Sequence, residues 1–126
     1  HAAAKGIPYS CFVRENTKIP FMTMPDAIQA IIQIINAPQQ NLNQTIYNIR
    51  AFAPTAEEFR KKVVEFFPTA EIKYKINEKR QKMVDSWPED TDDSAAQKEW
   101  NWEPIHTLDS GLKKYLIPDL KQIYQP

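Results

Sequence analysis

The chain has 126 residues, a quarter of them charged, and its sixteen cationic and sixteen anionic side chains give a formal net charge of zero. That length is one domain's worth of polypeptide, and the charge balance argues against a dedicated nucleic-acid binder or a polybasic membrane module. No apolar run approaches the roughly 20 residues that a membrane span needs, and the single Cys11 excludes an internal disulfide and suits a reducing compartment.

In chain order, "HAAAKG" (1–6) reads as the end of a helix, Ala-rich, with Lys5 in the last turn and Gly6 as a left-handed terminator. "YSCFV" (9–13) and "FMTM" (21–24) are short strand candidates, the second apolar enough to be buried on both faces. "PDAIQAIIQIINAP" (25–38) follows as a helix, with Asp26 in the N-cap position and Pro38 marking its stop. Its polar residues Gln29, Gln33 and Asn36 fall on one narrow stripe and the rest is alanine and isoleucine, so this helix wants protein on several sides. "TIYNIR" (45–50) is another strand candidate. Thr55 with Glu58 makes a capping box ahead of a helix whose Phe59, Val63, Phe66 and Phe67 share a face. "EIKYKI" (71–76) alternates, with Ile72, Tyr74 and Ile76 expected inward. Asp93 or Ser94 can cap a short helix to Trp100, Thr107 can cap the last one, and Pro118 should break or kink it. Strands alternating with helices make the class α/β.

Glycine is the more telling count. Only Gly6 and Gly111 are present, and phosphate-cradling loops need several glycines at fixed offsets to bring backbone N–H groups up to the ligand. Neither a dinucleotide fingerprint nor a P-loop can be written with these two. A metal centre has little to build on, with His1, His106 and Cys11 outside any paired ligand spacing. No Gly-x-Ser-x-Gly elbow exists, and no tyrosine is followed four positions later by lysine.

Charge is segregated along the chain. Residues 60–82 hold eight cationic and three anionic side chains, whereas residues 85–103 hold seven anionic and one cationic. Two solvated faces that partly neutralise one another account for this most simply. The sharper reading sets Arg80, beside the Trp87 segment, against an anionic ligand group. Trp100 and Trp102 end a short helix with Ala95 and Ala96 and belong to the edge of the core. Trp87, between Ser86 and Pro88, lies in a segment without periodicity, so a neighbouring element or a ligand must cover it.

These residues carry a resemblance. "DDSAAQKEWNW" is similar to a signature near the end of extended short-chain dehydrogenases/reductases, the NAD-dependent epimerase/dehydratase group, and "IPFMTMPDAIQAIIQIINAP" resembles that group's strand leading to an Asp-capped helix. With "YNIRAFAPTAEEF" and "RQKMVDSWPED", the chain resembles the short-chain type of L-threonine 3-dehydrogenases from about residue 1 to 117. The resemblance implies an α/β C-terminal portion of a longer enzyme. Residues 1–54 would close the Rossmann domain and the lobe junction, and residues 55–126 would form a substrate-binding lobe that cannot catalyse alone. The Gly-rich turn and the Tyr/Lys pair would lie in the missing N-terminal Rossmann domain, which would bind NAD.

In that family the tyrosine draws the hydroxyl proton while hydride leaves the threonine Cβ, giving 2-amino-3-ketobutyrate, and the C-terminal lobe closes over the substrate. By the same resemblance Trp87 and Ser86 line or support the substrate side, and Arg80 stands where relatives that use nucleotide sugars hold an anionic group. No catalytic, cofactor-binding or metal-binding residue is expected in this chain itself. The partners implied are L-threonine, the Rossmann domain and a second subunit in a homodimer, without nucleic acid or membrane, in the cytoplasm or the mitochondrial matrix. Asn101, where the family has glycine, alters only a helix terminus. The rival readings are the same portion of a nucleotide-sugar epimerase or dehydratase and a non-catalytic α/β interaction module docking a partner through Ile28–Ile35.

Overall fold

Two parallel strands, β1 (Tyr9–Cys11) and β2 (Ile72–Tyr74), are paired with Tyr9 opposite Ile72 and Cys11 opposite Tyr74 in a computed structural model that describes residues 1–124. A parallel pair needs a crossover, and here it carries α1 (Met24–Asn36) and α2 (Ala56–Phe66). After β2 come α3 (Glu78–Val84), α4 (Ser94–Trp100), α5 (Leu108–Gly111) and α6 (Ile117–Tyr124). The mixed α/β class expected from the sequence holds.

Local chemistry explains most of the boundaries. Lys5 ends a 3₁₀ turn (Ala3–Lys5), and Gly6 at φ 67° provides the left-handed stop that glycine adopts without steric cost. At α2, Thr55 Oγ1 accepts from the Glu58 N–H at 3.1 Å and Glu58 Oε2 accepts from the Thr55 N–H at 2.8 Å, the reciprocal box expected. Thr107 forms its own box with Ser110 ahead of α5. Asn101 sits at φ 56° and ends α4, a left-handed position that asparagine tolerates.

Other expectations need correction. Helix α1 starts at Met24, and its N-cap is Thr23, whose Oγ1 accepts from the Asp26 N–H at 3.3 Å; Asp26 lies inside the first turn. The strand expected at 21–24 shrinks to a bridge between Phe21 and Phe52. "TIYNIR" forms no ladder, because a strand exists only with a partner and none faces it among the described residues. Ile76 is 45% exposed, because β2 ends at Tyr74. Pro118 neither breaks nor ends the last helical stretch. A π turn over Leu112–Leu116 precedes it and relieves the clash that a proline ring makes with the carbonyl four residues back. Helix α3 is an element the sequence did not announce; the Asn77 side chain caps it, accepting from the Arg80 N–H at 3.0 Å.

Two apolar clusters hold the fold. One packs Phe67, Leu112, Ile117 and Leu120 with the partly buried Phe59, Val63 and Phe66, so the face expected for α2 is the one turned to the core. The other packs Trp100 and Trp102 on Ala96 and Ala30, with Met22, Ile34 and Tyr47 around them. Trp102 is 2% exposed, placing both tryptophans in the core as expected. Helix α1 is turned against its own hydrophobicity. Its buried side carries Asp26 and Ala30, while Met24, Ile28, Ile31, Ile32 and Ile35 are between 53% and 74% exposed.

Candidate functional site

Trp87 is the natural starting point, because it stands half-exposed as a wall common to two concavities. One is a groove of about 570 Å³ between the two-stranded sheet, the 12–21 segment and α2, lined mainly by hydrocarbon. The other is a recess of about 280 Å³ in which Arg14 and Lys18 stand with Asp85 and Glu89. Neighbouring sites of opposite character meet at one aromatic ring.

A polar network centred on the buried Gln81 positions that ring. Gln81 on α3 is fully buried. Its Oε1 accepts from the Arg14 backbone N–H at 2.7 Å, and its Nε2 donates to Thr17 Oγ1 at 3.1 Å and to Asp85 Oδ1 at 2.6 Å. The Arg14 guanidinium donates to both Asp85 oxygens at 2.7 Å. Arg14 first, and Gln81 second, hold the Asp85 carboxyl below the usual aspartate range. Helix α3 is thus pinned to the 14–17 turn, and the Trp87 N–H, donating to Val84 O at 2.9 Å, continues from its end. Ser86 spends its hydroxyl on Met83 O at 2.6 Å. Arg80 points elsewhere: its guanidinium lies over the Phe12 ring, 5.0 Å from the centroid, one layer behind the groove wall that Phe12 forms. Trp87 and Ser86 are therefore neighbours, Arg80 is set apart from them, and Arg14 is the arginine beside Trp87. Arg14 carried no signal in the sequence, because a contact spanning 71 residues exists only once β1 and α3 are assembled.

At the other end of the groove, Arg60 donates through Nε and Nη2 to the two Glu57 oxygens at 2.6 and 2.7 Å, and the Tyr74 hydroxyl donates to Glu57 Oε2 at 3.0 Å. The Arg60 hydrogen bond leads in holding the Glu57 carboxyl down to about 2. Burial, then the Glu57 carboxylate, pushes the Tyr74 phenol up to about 12.

Away from the groove, Asp26 is fully buried and accepts from the Ile105 N–H at 2.8 Å and the Thr23 hydroxyl at 2.9 Å, with His106 Nδ1 3.3 Å from each carboxylate oxygen. His106, which no metal-ligand spacing singled out, is thus the partner of a buried carboxylate. Segregated charge finds other partners than expected. The acidic segment meets Arg14 and Arg50 (Arg50 Nε lies 3.0 Å from Asp90 Oδ1, close but not aligned as a hydrogen bond) rather than the basic run 60–82. No group of three or more metal-ligating side chains occurs among the described residues, and no helix there is long and apolar enough to cross a membrane.

No family model matches the chain. It is 34% identical over 103 residues to the bovine (Bos taurus) mitochondrial L-threonine 3-dehydrogenase, covering 82% of this chain and 28% of that protein. It is 35% identical over 110 residues to an uncharacterised epimerase/dehydratase of Staphylococcus saprophyticus, covering 86% of this chain and 34% of that protein. The L-threonine dehydrogenase structure from Clostridium difficile superposes with a TM-score of 0.88 at 33% identity, over 99% of this chain and 39% of that one. The chain matches L-threonine 3-dehydrogenases and epimerase/dehydratase relatives along most of its own length. It corresponds to a C-terminal portion of the fold of these proteins, about a third of the length of the curated relatives it matches. Within the epimerase/dehydratase fold, neither glycine of this portion sits in a strand–turn–helix: Gly6 ends a 3₁₀ turn and Gly111 lies inside a helix, with a Cβ there 2.8 Å from Thr23 Cγ2. The described residues therefore offer no cradle for a dinucleotide pyrophosphate.

Proposed function

We propose that this chain is the substrate-lobe portion of an NAD-dependent enzyme that oxidises L-threonine to 2-amino-3-ketobutyrate, inactive without the Rossmann domain. The observation that supports it most directly is the match to L-threonine dehydrogenases across 99% of this chain and only 39% of its counterpart. Residues 1–54 then complete the nucleotide-binding domain and its junction, and residues 55–126 form most of the lobe, with β1 reaching across to pair with β2. The exposed isoleucine face of α1 is covered by the rest of the enzyme, since a stripe of that kind is costly to leave in water. NAD, when bound, supplies the hydride acceptor; with no Gly-rich cradle for its pyrophosphate among the described residues, it is held mainly by the part of the enzyme outside this chain. The protein works in the cytoplasm, or in the mitochondrial matrix of a eukaryote, and as a homodimer.

In this reading Trp87 closes the substrate side of the cleft and excludes water from a small polar ligand, with Ser86 fixing the turn that presents it. The recess beside it carries charge of both signs, as a zwitterionic amino acid requires. Arg80 holds Phe12 in the adjoining wall. The experiment is turnover by the full-length enzyme of L-threonine with NAD, against a panel of nucleotide sugars. Threonine-dependent NADH formation is the expected result. Turnover of a nucleotide sugar without threonine oxidation places the chain in an epimerase or dehydratase instead, and a folded protein that turns over neither is the non-catalytic module.

A further inference from the structure

Helix α3 has little to hold it in place. Of its seven residues only Gln81 and Val84 are buried, and a helix of two turns does not persist on its own. Val84 is the apolar anchor, and the other is an amide. Burying an amide is costly unless each of its groups is satisfied, and here each is. The oxygen takes the Arg14 backbone N–H, and the two amide hydrogens go to Thr17 Oγ1 and Asp85 Oδ1. The neighbouring Arg14 and Asp85 side chains are 45% and 42% exposed, and an ion pair that wet is screened and fixes little geometry by itself. What Gln81 fixes is passed on to the turn. The N–H groups of Asp85, Ser86 and Trp87 donate back to the carbonyls of Gln81, Met83 and Val84 at 2.8, 3.3 and 2.9 Å, so the Trp87 backbone follows the end of α3.

We infer that Gln81 is a positioning residue for the substrate: its carboxamide, rather than the Arg14–Asp85 ion pair, sets the Trp87 turn against the connection after β1, and through Trp87 it sets the affinity for the substrate. The second half rests on the reading of Trp87 as the wall of the substrate side. A carboxamide is required because the site asks for one acceptor and two donors at once. A carboxylate at position 81 accepts but cannot donate, and it stands as a like charge against Asp85, so it holds the turn only when protonated. The Arg14 guanidinium and the Asp85 carboxylate are the charged groups around that position, with Lys18 and Glu89 on the adjoining recess. Burial and Asp85 raise the pKa of such a carboxyl, and Arg14 opposes them.

The test uses the full-length enzyme labelled with 5-fluorotryptophan, in which the Trp87 fluorine resonance is identified by its loss in Trp87→Phe. Gln81→Ala should displace or broaden that resonance and leave the other tryptophan resonances in place. It should also raise the KM for L-threonine about tenfold, with kcat changed by less than about threefold. Arg14→Ala keeps the backbone N–H and should leave the Trp87 resonance near its parent position. Should Gln81→Ala fail to fold, Gln81→Glu is the near-isosteric second variant. Its Trp87 resonance should sit at the parent position at about pH 5.5 and be displaced at about pH 8.5, whereas that of the parent stays put. An unmoved resonance in Gln81→Ala, an equal displacement in Arg14→Ala, or a Gln81→Glu spectrum without pH dependence overturns the proposal. So does an unchanged KM in Gln81→Ala where Trp87→Ala raises it. The fluorine spectrum needs neither threonine nor NAD. An enzyme that does not oxidise threonine, or whose KM survives Trp87→Ala, refutes the substrate reading and the half of the proposal built on it, and the spectrum still decides whether Gln81 sets the turn.

Discussion

Replacing Gly111 with alanine puts two opposing effects in one experiment. Gly111 lies in a helical stretch, where alanine is favoured over glycine by about 1 kcal/mol. At this position, however, a new Cβ falls 2.8 Å from Thr23 Cγ2, closer than real carbon contacts allow, with His106 Cβ at 3.7 Å and Phe52 Cε1 at 3.9 Å closing the other sides. Thr23 is not free to swing away. Its hydroxyl caps α1 and donates to the buried Asp26, so moving it forfeits a cap contributing about 1 kcal/mol on top of an overpacking cost of about 1–3 kcal/mol. Gly111→Ala should therefore destabilise by about 1–3 kcal/mol, read by urea denaturation followed through the fluorescence of the buried tryptophans. Thr23→Ser removes Cγ2 and keeps the capping hydroxyl. On that background Gly111→Ala should be neutral, or stabilising by up to about 1 kcal/mol. A stabilising Gly111→Ala in the unaltered protein, or an equal cost on both backgrounds, refutes the close-approach argument.

Four further outcomes follow from the site and its surroundings. On the function proposed above, in which Trp87 closes the substrate side, Trp87→Ala in the full-length enzyme should raise the KM for L-threonine about tenfold and leave that for NAD unchanged; parallel changes in both would place Trp87 in packing only. Asp26→Ala strands the Ile105 N–H and the His106 ring in a buried site and should cost about 2–4 kcal/mol in chemical denaturation, whereas a loss below about 0.5 kcal/mol would show that water replaces the carboxylate. Tyr74 should ionise near pH 12 by ultraviolet difference titration, and Glu57→Gln should bring that value down toward the ordinary 10. The sign for Glu57 is the reverse. With a folded value near 2 below the ordinary 4.5, its stabilisation is present above about pH 4.5 and drains away as pH falls toward 2. A Glu57→Gln variant whose acid-unfolding curve matches that of the parent would contradict this.

Elements whose signals are local were legible in the sequence. The Thr55 and Thr107 caps, the Gly6 stop, the buried face of α2 and the core placement of Trp100 and Trp102 each depend on residues within a turn or two of one another. The strands were less so, because pairing is not a property of one segment: "YSC" and "IKY" find each other, while "TIYNIR" has the right residues and no partner among those described. Pro118 shows a different limit. Proline opposes an α-helix, and the chain answers with a π turn, a solution that no propensity scale contains.

At the site, the sequence singled out an arginine near Trp87, and assembly brings a different one beside it. Arg80 is seven residues from Trp87, yet α3 carries its side chain round to Phe12, whereas Arg14 reaches Asp85 through the β1 connection. Proximity in sequence fails there because α3 ends at Val84, so Trp87 lies on the turn beyond it and does not continue the helix face that carries Arg80. Helix α1 makes the same point in reverse. Its pattern reads as too apolar for a solvated surface, but the pattern alone cannot say which side faces inward. The structure buries Asp26 and Ala30 and leaves five large apolar side chains outside. Such an orientation is stable only where another surface meets the isoleucines, and the relatives that superpose on this chain have about three-fifths of their length beyond it, with which to supply that surface.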